Sequence, residues 1–398
     1  MSIGSDKNKD FQKRIRPLLI SICGFVGFIP LMMLPVMMGF YVNDLSMSQK
    51  MAGILCTAQL FGVSIGILLL SRYSIKHGLR KNVLCAALVV ISVECASLFF
   101  DGFSEAFLFR LASGLGGGVI AGCAYSWLGG LRDPDQGFGL FLLVQFMTGA
   151  LLLYFVPAGL QILGTVTVKL PYILFSCITL ALSGIFSYSP RGEKITRHEH
   201  LEPVNIKDLL KGNTIIAALL AIGFFELAMS MVWADAQRIG VSWGFNSLVI
   251  AKALALCTLA GILGAFLVVA LGSRFGRRAP IYAGVALISA VLIFMITANG
   301  SLAAFYISMV LFNGLWSFTV PYLQGAQANG NAQTSSVCLG AFFVTSSLSL
   351  GPVVSGVITE NFGFSGLVSG ALIFLLLSLL CAFMAMPAAQ KRFSTSIS

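Results

Sequence analysis

Residues Gly27–Phe40 read GFIPLMMLPVMMGF, with prolines at 30 and 35, four methionines and no charge. Each proline removes an amide donor and crowds the preceding turn, which would ruin a helix in water. Inside a membrane bundle, neighbouring helices or cavity water can satisfy the freed carbonyls. The stretch is therefore expected to be a membrane helix bent by Pro30 and Pro35 around a cavity. Its unbranched methionines, Met32 among them, would form a soft wall that adapts to shape. The competing expectation is plain lipid-facing packing.

The rest of the chain supports a membrane setting. Of its 398 residues, 57% are hydrophobic and 10% charged, against about 25% charged in soluble domains. Mean hydropathy is +0.92. A spanning helix needs about 20 mostly apolar residues. Twelve stretches qualify: 17–40, 50–71, 83–100, 106–129, 137–157, 170–188, 213–233, 247–270, 281–298, 302–322, 333–358 and 365–386. The basic Met1–Arg16 segment precedes a span too long for a signal h-region and has no small-residue cleavage site, so it is expected to stay as an anchor.

Charge gives the orientation. Of the 25 Lys and Arg residues, twenty fall in connections on the N-terminal side of the spans. Lys50, Lys169 and Arg238 fall on the opposite side, and Arg110 and Lys252 lie within spans. The positive-inside rule then predicts both termini cytoplasmic, in the cytoplasmic (inner) membrane. The net charge of +10 is thereby topological, and no nucleic-acid partner is needed to explain it. The nine cysteines lie in apolar runs without CxxC spacing, which argues against disulfides and zinc and for buried, inert thiols. His198-Glu199-His200 reads as part of a solvated loop, so neither a metal nor a cofactor is expected.

The charged connection Ser189–Gly212 falls near the midpoint and divides the chain into 1–188, a linker 189–212 and 213–398. Two basic loops reveal a duplication: SRYSIKHGLRKN after the second span and GSRFGRRAP after the eighth, offset by 198 residues. The stretches LSMSQ from Leu45 and IGVSW from Ile239 precede the second span of each half. Parallel six-helix repeats place a binding site at their interface near the midplane.

These loops resemble the D-R-x-G-R-[RK] signature of the major facilitator superfamily. RLASGLGGG, with Arg110, Gly114, Gly116 and Gly118, is similar to the family's Arg-x-x-x-Gly motif in the fourth span. The resemblance implies an all-α membrane protein of 12 transmembrane helices in two pseudo-symmetric six-helix bundles. It also implies gating roles for Arg72, Lys76, Gly78, Arg80 and Lys81, and for Arg274, Gly276, Arg277 and Arg278. Helices one, four, seven and ten would line the cavity. The signature's aspartate is replaced by Ile75 in one copy and Ser273 in the other, which puts the family's gate charge cluster in doubt here.

The candidate solute contacts are Met32, Arg110, Tyr125, Gln145, Glu226, Trp233, Asn313 and Trp316. On helix four, Gly114, Gly118 and Gly122 recur every fourth residue, letting another backbone approach. Arg110 and Tyr125 lie near the same face; an arginine in the membrane needs a partner or a wet cavity. Glu226 sits about 18 Å in from the N-terminal end of helix seven at the usual rise, with Ser230 and Trp233 continuing its stripe. Burial penalises a charge at that depth, which suits reversible protonation. Glu226 is thus the first candidate for proton coupling and Glu94, taken as equally deep, the second. Helix ten places Asn313, Trp316, Ser317 and Gln324 along one side; helix two adds Gln59. Lys252 is expected to snorkel.

No phosphate-binding glycine loop, G-x-S-x-G or HExxH is present, so an enzyme is not expected. The expectation is a monomeric secondary active transporter among membrane lipids, moving a small amphipathic organic solute, an organic anion being one option, by alternating access in symport with protons. One alternative is a proton-exchanging exporter of hydrophobic drugs. Its usual helix-five motif is absent, although GPVVSG stands at Gly351–Gly356. Another is a non-transporting lipid scramblase or receptor.

Overall fold

The computed structural model describes residues 15–100, 102–131, 134–188, 213–272, 274–298, 300–327 and 334–386. Residues 1–14 of the expected anchor, Arg132, the expected linker 189–212 with its two histidines, and Ser273 lie outside the described residues. So do the side chains of Arg72, Ile75, Lys76 and Cys338.

Twelve helical segments follow one another among the described residues. They are α1 (15–44), α2 (Gln49–His77), α3 (Leu79–Ala96), α4 (Phe103–Gly129), α5 (Pro134–Leu163) and α6 (Leu170–Leu182, continued by a 3-10 turn Ser183–Ser187). Then come α7 (Asn213–Ser242), α8 (Ser247–Leu271), α9 (Arg278–Thr297), α10 (Leu302–Gln327), α11 (334–362) and α12 (364–385). Left-handed Gly363, at φ 66°, separates the last two. Ten of the helices qualify as spans by length and hydropathy alone, the last being α11 and α12 fused. The short α3 falls outside that count: its 18 residues include Arg80, Lys81 and Glu94.

Two boundaries differ from expectation in ways that matter. The turn at Gly78 lets α3 start at Leu79 and end at Ala96, so Glu94 lies in its last turn. The expectation that Glu94 matches Glu226 in depth is thereby corrected. Helix α7 runs on to Ser242 because Asp235 and Arg238, one turn apart, pair with each other inside it at 2.5 Å. Arg238 is a buried helix residue, not a loop cation.

The duplication is visible in the backbone. Gly78 and Gly276, 198 residues apart, both take positive φ, 76° and 65°. That region is open to glycine and closed to most side chains, so the loop motif needs glycine at this place. Within the first half, Gly62 and Gly66 of α2 meet the backbone of α4, and Gly114 and Gly118 of α4 meet that of α2. At the equivalent place in the second half, Gly264 of α8 meets the Gly314 carbonyl of α10. Such notches let helices pack backbone to backbone in lipid.

Contacts between the halves follow the same symmetry: α2 packs on α11, α8 on α5, and α1 on α7. The α2–α11 contact is tight at the end remote from the N-terminus. There the Lys50 amide donates to Glu360 at 3.0 Å and the Val353 amide to Thr57 Oγ1 at 3.1 Å. Gly53 sits under the Pro352 carbonyl and Gly356 under that of Gln49, so a side chain at either would hold the helices apart. That end of the bundle is clamped shut.

The four methionines of the opening stretch are all buried, so the lipid-facing alternative does not hold. Among the described cysteines the expectation of burial holds at Cys23, Cys56, Cys123 and Cys257; Cys95 and Cys381 are partly buried, and Cys85 and Cys177 are exposed on the outer faces of α3 and α6. In a bilayer those faces meet acyl chains, where a thiol behaves as a small apolar group.

Candidate functional site

Helix α1 is broken where its prolines require. An α-helical run over 15–24 gives way to a 3-10 turn at Phe25–Phe28, then to short segments Ile29–Met32 and Leu34–Gly39 and a π-helical turn Phe40–Asp44. Pro30 and Pro35 each stand in the first turn of a short segment, where a missing amide costs least. The prolines deprive two carbonyls of their helical partners: Val26 four residues before Pro30, and Leu31 four before Pro35. Gly117 of α4 packs against the Val26 carbonyl. The indole Nε1 of Trp233, from α7 in the other half, donates to the Leu31 carbonyl at 2.8 Å.

Beside that bond lies a cavity of about 30 Å³. Leu31 and Met32 of α1, Glu226, Met229, Ser230 and Trp233 of α7, Phe312, Asn313 and Trp316 of α10, and Leu348 of α11 line it. Glu226 is 1% exposed and sits near the middle of α7. Its carboxylate accepts from Trp316 Nε1 at 3.1 Å. Among the described residues no ion pair includes it. Ser230 follows one turn later; its hydroxyl is buried without a hydrogen-bond partner and is accommodated by Gly351 of α11. Phe146 of α5 packs edge-on against Trp316, with ring centroids 6.5 Å apart.

Five of the eight solute candidates, Met32, Glu226, Trp233, Asn313 and Trp316, therefore meet around one space. The other three do not. Arg110 pairs with Glu94 at 2.7 Å, and Ser113 Oγ donates to the same carboxylate at 2.6 Å. The guanidinium also lies over Tyr172, 5.7 Å from the ring centroid, and the Tyr172 hydroxyl donates to Gln59 at 3.4 Å. This polar cluster belongs to the first half and does not line the cavity, and it leaves Arg110 Nη1 and Gln59 Nε2 buried without hydrogen-bond partners. Tyr125 lies instead among aromatic rings, 5.8 Å from Phe28 and 4.9 Å from Phe141, so it does not share a site with Arg110. Gln145 is buried on α5 and is not a lining residue. Gln324, expected beside Asn313 and Trp316, is exposed.

Of the expected gating residues, Arg80 and Lys81 in the first turn of α3 and Arg274 and Gly276 in the second loop are exposed, and Arg277 and Arg278 at the start of α9 partly so. Arg277 approaches Gly325 of α10, and Tyr322 donates to the Gly272 carbonyl at 3.0 Å, tying this loop to α10. Lys252 is exposed.

Two site features escaped the sequence reading. The Leu31 carbonyl is one, although a proline four residues downstream was the available signal. The other is the Asp235–Arg238 pair, to which Thr359 of α11 donates at 3.2 Å while Arg238 lies over Phe364, 5.3 Å from its centroid. An Asp-x-x-Arg spacing on one helix face was its signal.

A mostly apolar cavity with a few polar groups, set between two six-helix bundles, is the arrangement of a membrane carrier. The chain belongs to the Major Facilitator Superfamily, whose family model matches residues 20–349. Its fold is similar to the crystal structure of a D-xylose-proton symporter, with a TM-score of 0.71 and 14% identity, covering 94% of this chain and 96% of that one. It is equally similar to a point mutant of the nucleoside transporter NupG, with a TM-score of 0.71 and 11% identity, covering 93% and 99%. No curated protein sequence matches it significantly. The chain is thus a multi-pass membrane protein and a secondary transporter with a small-molecule substrate, not an enzyme.

Proposed function

We propose that this transporter couples the movement of a small amphipathic organic solute to protons, with Glu226 as the coupling acid. One observation carries the reading: Glu226 is buried in the wall of the cavity between the halves, held by an indole donor and by no cation among the described residues. Such a carboxylate can gain and lose a proton without breaking an ion pair. Glu94, the second candidate, cannot, because Arg110 holds it. The same pairing weakens the case for an organic anion, whose expected cation was Arg110. The GPVVSG stretch gives little support to a drug exporter, since Gly351 and Gly356 are used in packing against Ser230 and Gln49.

The protein works as a monomer in the cytoplasmic membrane, with residues 1–188 and 213–398 rocking as two bodies joined by 189–212. With both termini cytoplasmic, the clamped α2–α11 end faces outward, and the cavity opens next toward the cytoplasm. The basic loops Arg72–Lys81 and Arg274–Arg278 then close the cytoplasmic end in the opposite phase.

The test is transport into proteoliposomes offered a mixture of metabolites, with the internal content read by mass spectrometry. An imposed proton gradient should concentrate a solute in wild type, and Glu226→Gln should lose concentration while retaining solute exchange. Equal accumulation with and without the gradient would overturn proton coupling.

A further inference from the structure

One hydrogen bond in the cavity wall belongs to neither helix's own ladder. Pro35 has no amide to offer the Leu31 carbonyl, and Trp233 Nε1 takes that place from α7 at 2.8 Å. Both residues line the cavity, as does Ser230, a residue 2% exposed whose hydroxyl is buried without a hydrogen-bond partner beside Gly351. The space is about 30 Å³, room for one or two waters and no organic solute. A solute can therefore enter only if α1 and α7 part at this point and the Trp233–Leu31 bond is displaced. Displacement strands the N–H of buried Trp233 and the carbonyl of half-buried Leu31, each costly when left unsatisfied away from water. The incoming group must accept from the indole and donate to the carbonyl. A hydroxyl does both; a carboxylate only accepts, and an ammonium only donates. A carboxylate would also set its charge beside Glu226.

We propose that Trp233 Nε1 and the Leu31 carbonyl form a hydroxyl-binding subsite, so that the substrate is a neutral, hydroxyl-bearing solute whose hydroxyl replaces the bond between the two halves. Ser230 offers a partner to a neighbouring hydroxyl. The inference rests on the carrier reading of the same cavity and names its substrate class. It also gives Pro35 a specific task, which is to leave the Leu31 carbonyl available.

The test uses purified full-length protein and a panel of neutral sugars, polyols and nucleosides. Single hydroxyls of the best binder are then replaced by an amine or by a carboxylate, and affinities are measured calorimetrically. At the decisive position wild type should prefer the hydroxyl by at least about tenfold over either replacement, the worth of one buried hydrogen bond. Trp233→Phe removes the donor, so the position needs only a donor from the solute and the gap to the amine should close. Pro35→Ala supplies the carbonyl with a helical amide, so only an acceptor is needed and the gap to the carboxylate should close. Because the two variants relax selectivity in opposite directions, either alone tests the idea if the other fails to fold.

Absence of binding by every neutral member, or an unchanged ranking in a folded variant, overturns the subsite, as does closure of the same gap in both. Gradient-driven accumulation of a carboxylate solute would overturn the subsite and leave the carrier reading intact. Opposite relaxation with no gradient-driven movement would support the subsite and overturn proton coupling instead.

Discussion

Glu94 and Glu226 are both buried carboxylates on membrane helices, and their surroundings separate them. Glu94 lies in the last turn of α3, bound by Arg110 at 2.7 Å and Ser113 at 2.6 Å. Glu226 lies near the middle of α7, facing the cavity between the halves, with Trp316 as its hydrogen-bond donor. In the first site the charges cancel, and protonating the acid would strand an arginine. In the second, a proton can come and go at the cost of one indole hydrogen bond. Burial alone does not mark a coupling acid; the absence of a compensating cation, at a place where the halves meet, does.

The largest effect is expected at Glu226. Glu226→Gln should abolish gradient-driven accumulation in proteoliposomes while leaving solute exchange, and full accumulation would end the contrast between the two acids. Next comes Glu94→Gln, which leaves Arg110 buried without its counter-ion. Breaking such a pair costs about 3–5 kcal/mol, so the melting temperature should fall sharply. Replacing Arg110 by Met in the same protein should restore most of the loss. A Glu94→Gln protein that melts like wild type would show that the pair is not structural.

A smaller effect is expected at the clamped end. Gly53→Val would push its side chain into the Pro352 backbone, and overpacking of this kind costs about 1–3 kcal/mol. The population should shift away from the closed end by about tenfold, for a change of about 1.4 kcal/mol. A cysteine placed at Ser230 would then label faster from outside the cell; an unchanged rate would mean that the α2–α11 contact does not control access. The smallest stability change belongs to Pro30→Ala with Pro35→Ala. Both prolines stand in first turns, so relief should be under about 1 kcal/mol rather than the 3 of a mid-helix proline, roughly. Turnover should still fall, because a straightened α1 would favour one state of the carrier. Wild-type turnover would show that the breaks are only tolerated.

How far these features were legible follows from their physics. Long apolar runs, paired glycines and basic loops are local signals, so the twelve helices and their duplication could be read directly. The stripe Glu226–Ser230–Trp233 was legible because helical periodicity puts all three on one face. Partners across helices were not. Nothing local tells Arg110 that Glu94 will come within 2.7 Å, or separates Tyr125 from the same site. Helix ends were blurred wherever charge is neutralised inside the bundle: Arg238 looked like a loop residue until Asp235 supplied its partner. The Leu31 carbonyl was half legible, since Pro35 announces the missing amide but not the indole that replaces it.

The most direct measurement follows proton movement itself. Solute added to lightly buffered proteoliposomes should drive a pH change, read with an internal dye, in wild type and in the stabilised double variant Glu94→Gln with Arg110→Met. This change should disappear in Glu226→Gln and persist in the double variant. Persistence in Glu226→Gln together with loss in the double variant would contradict coupling through Glu226 and assign the proton to Glu94.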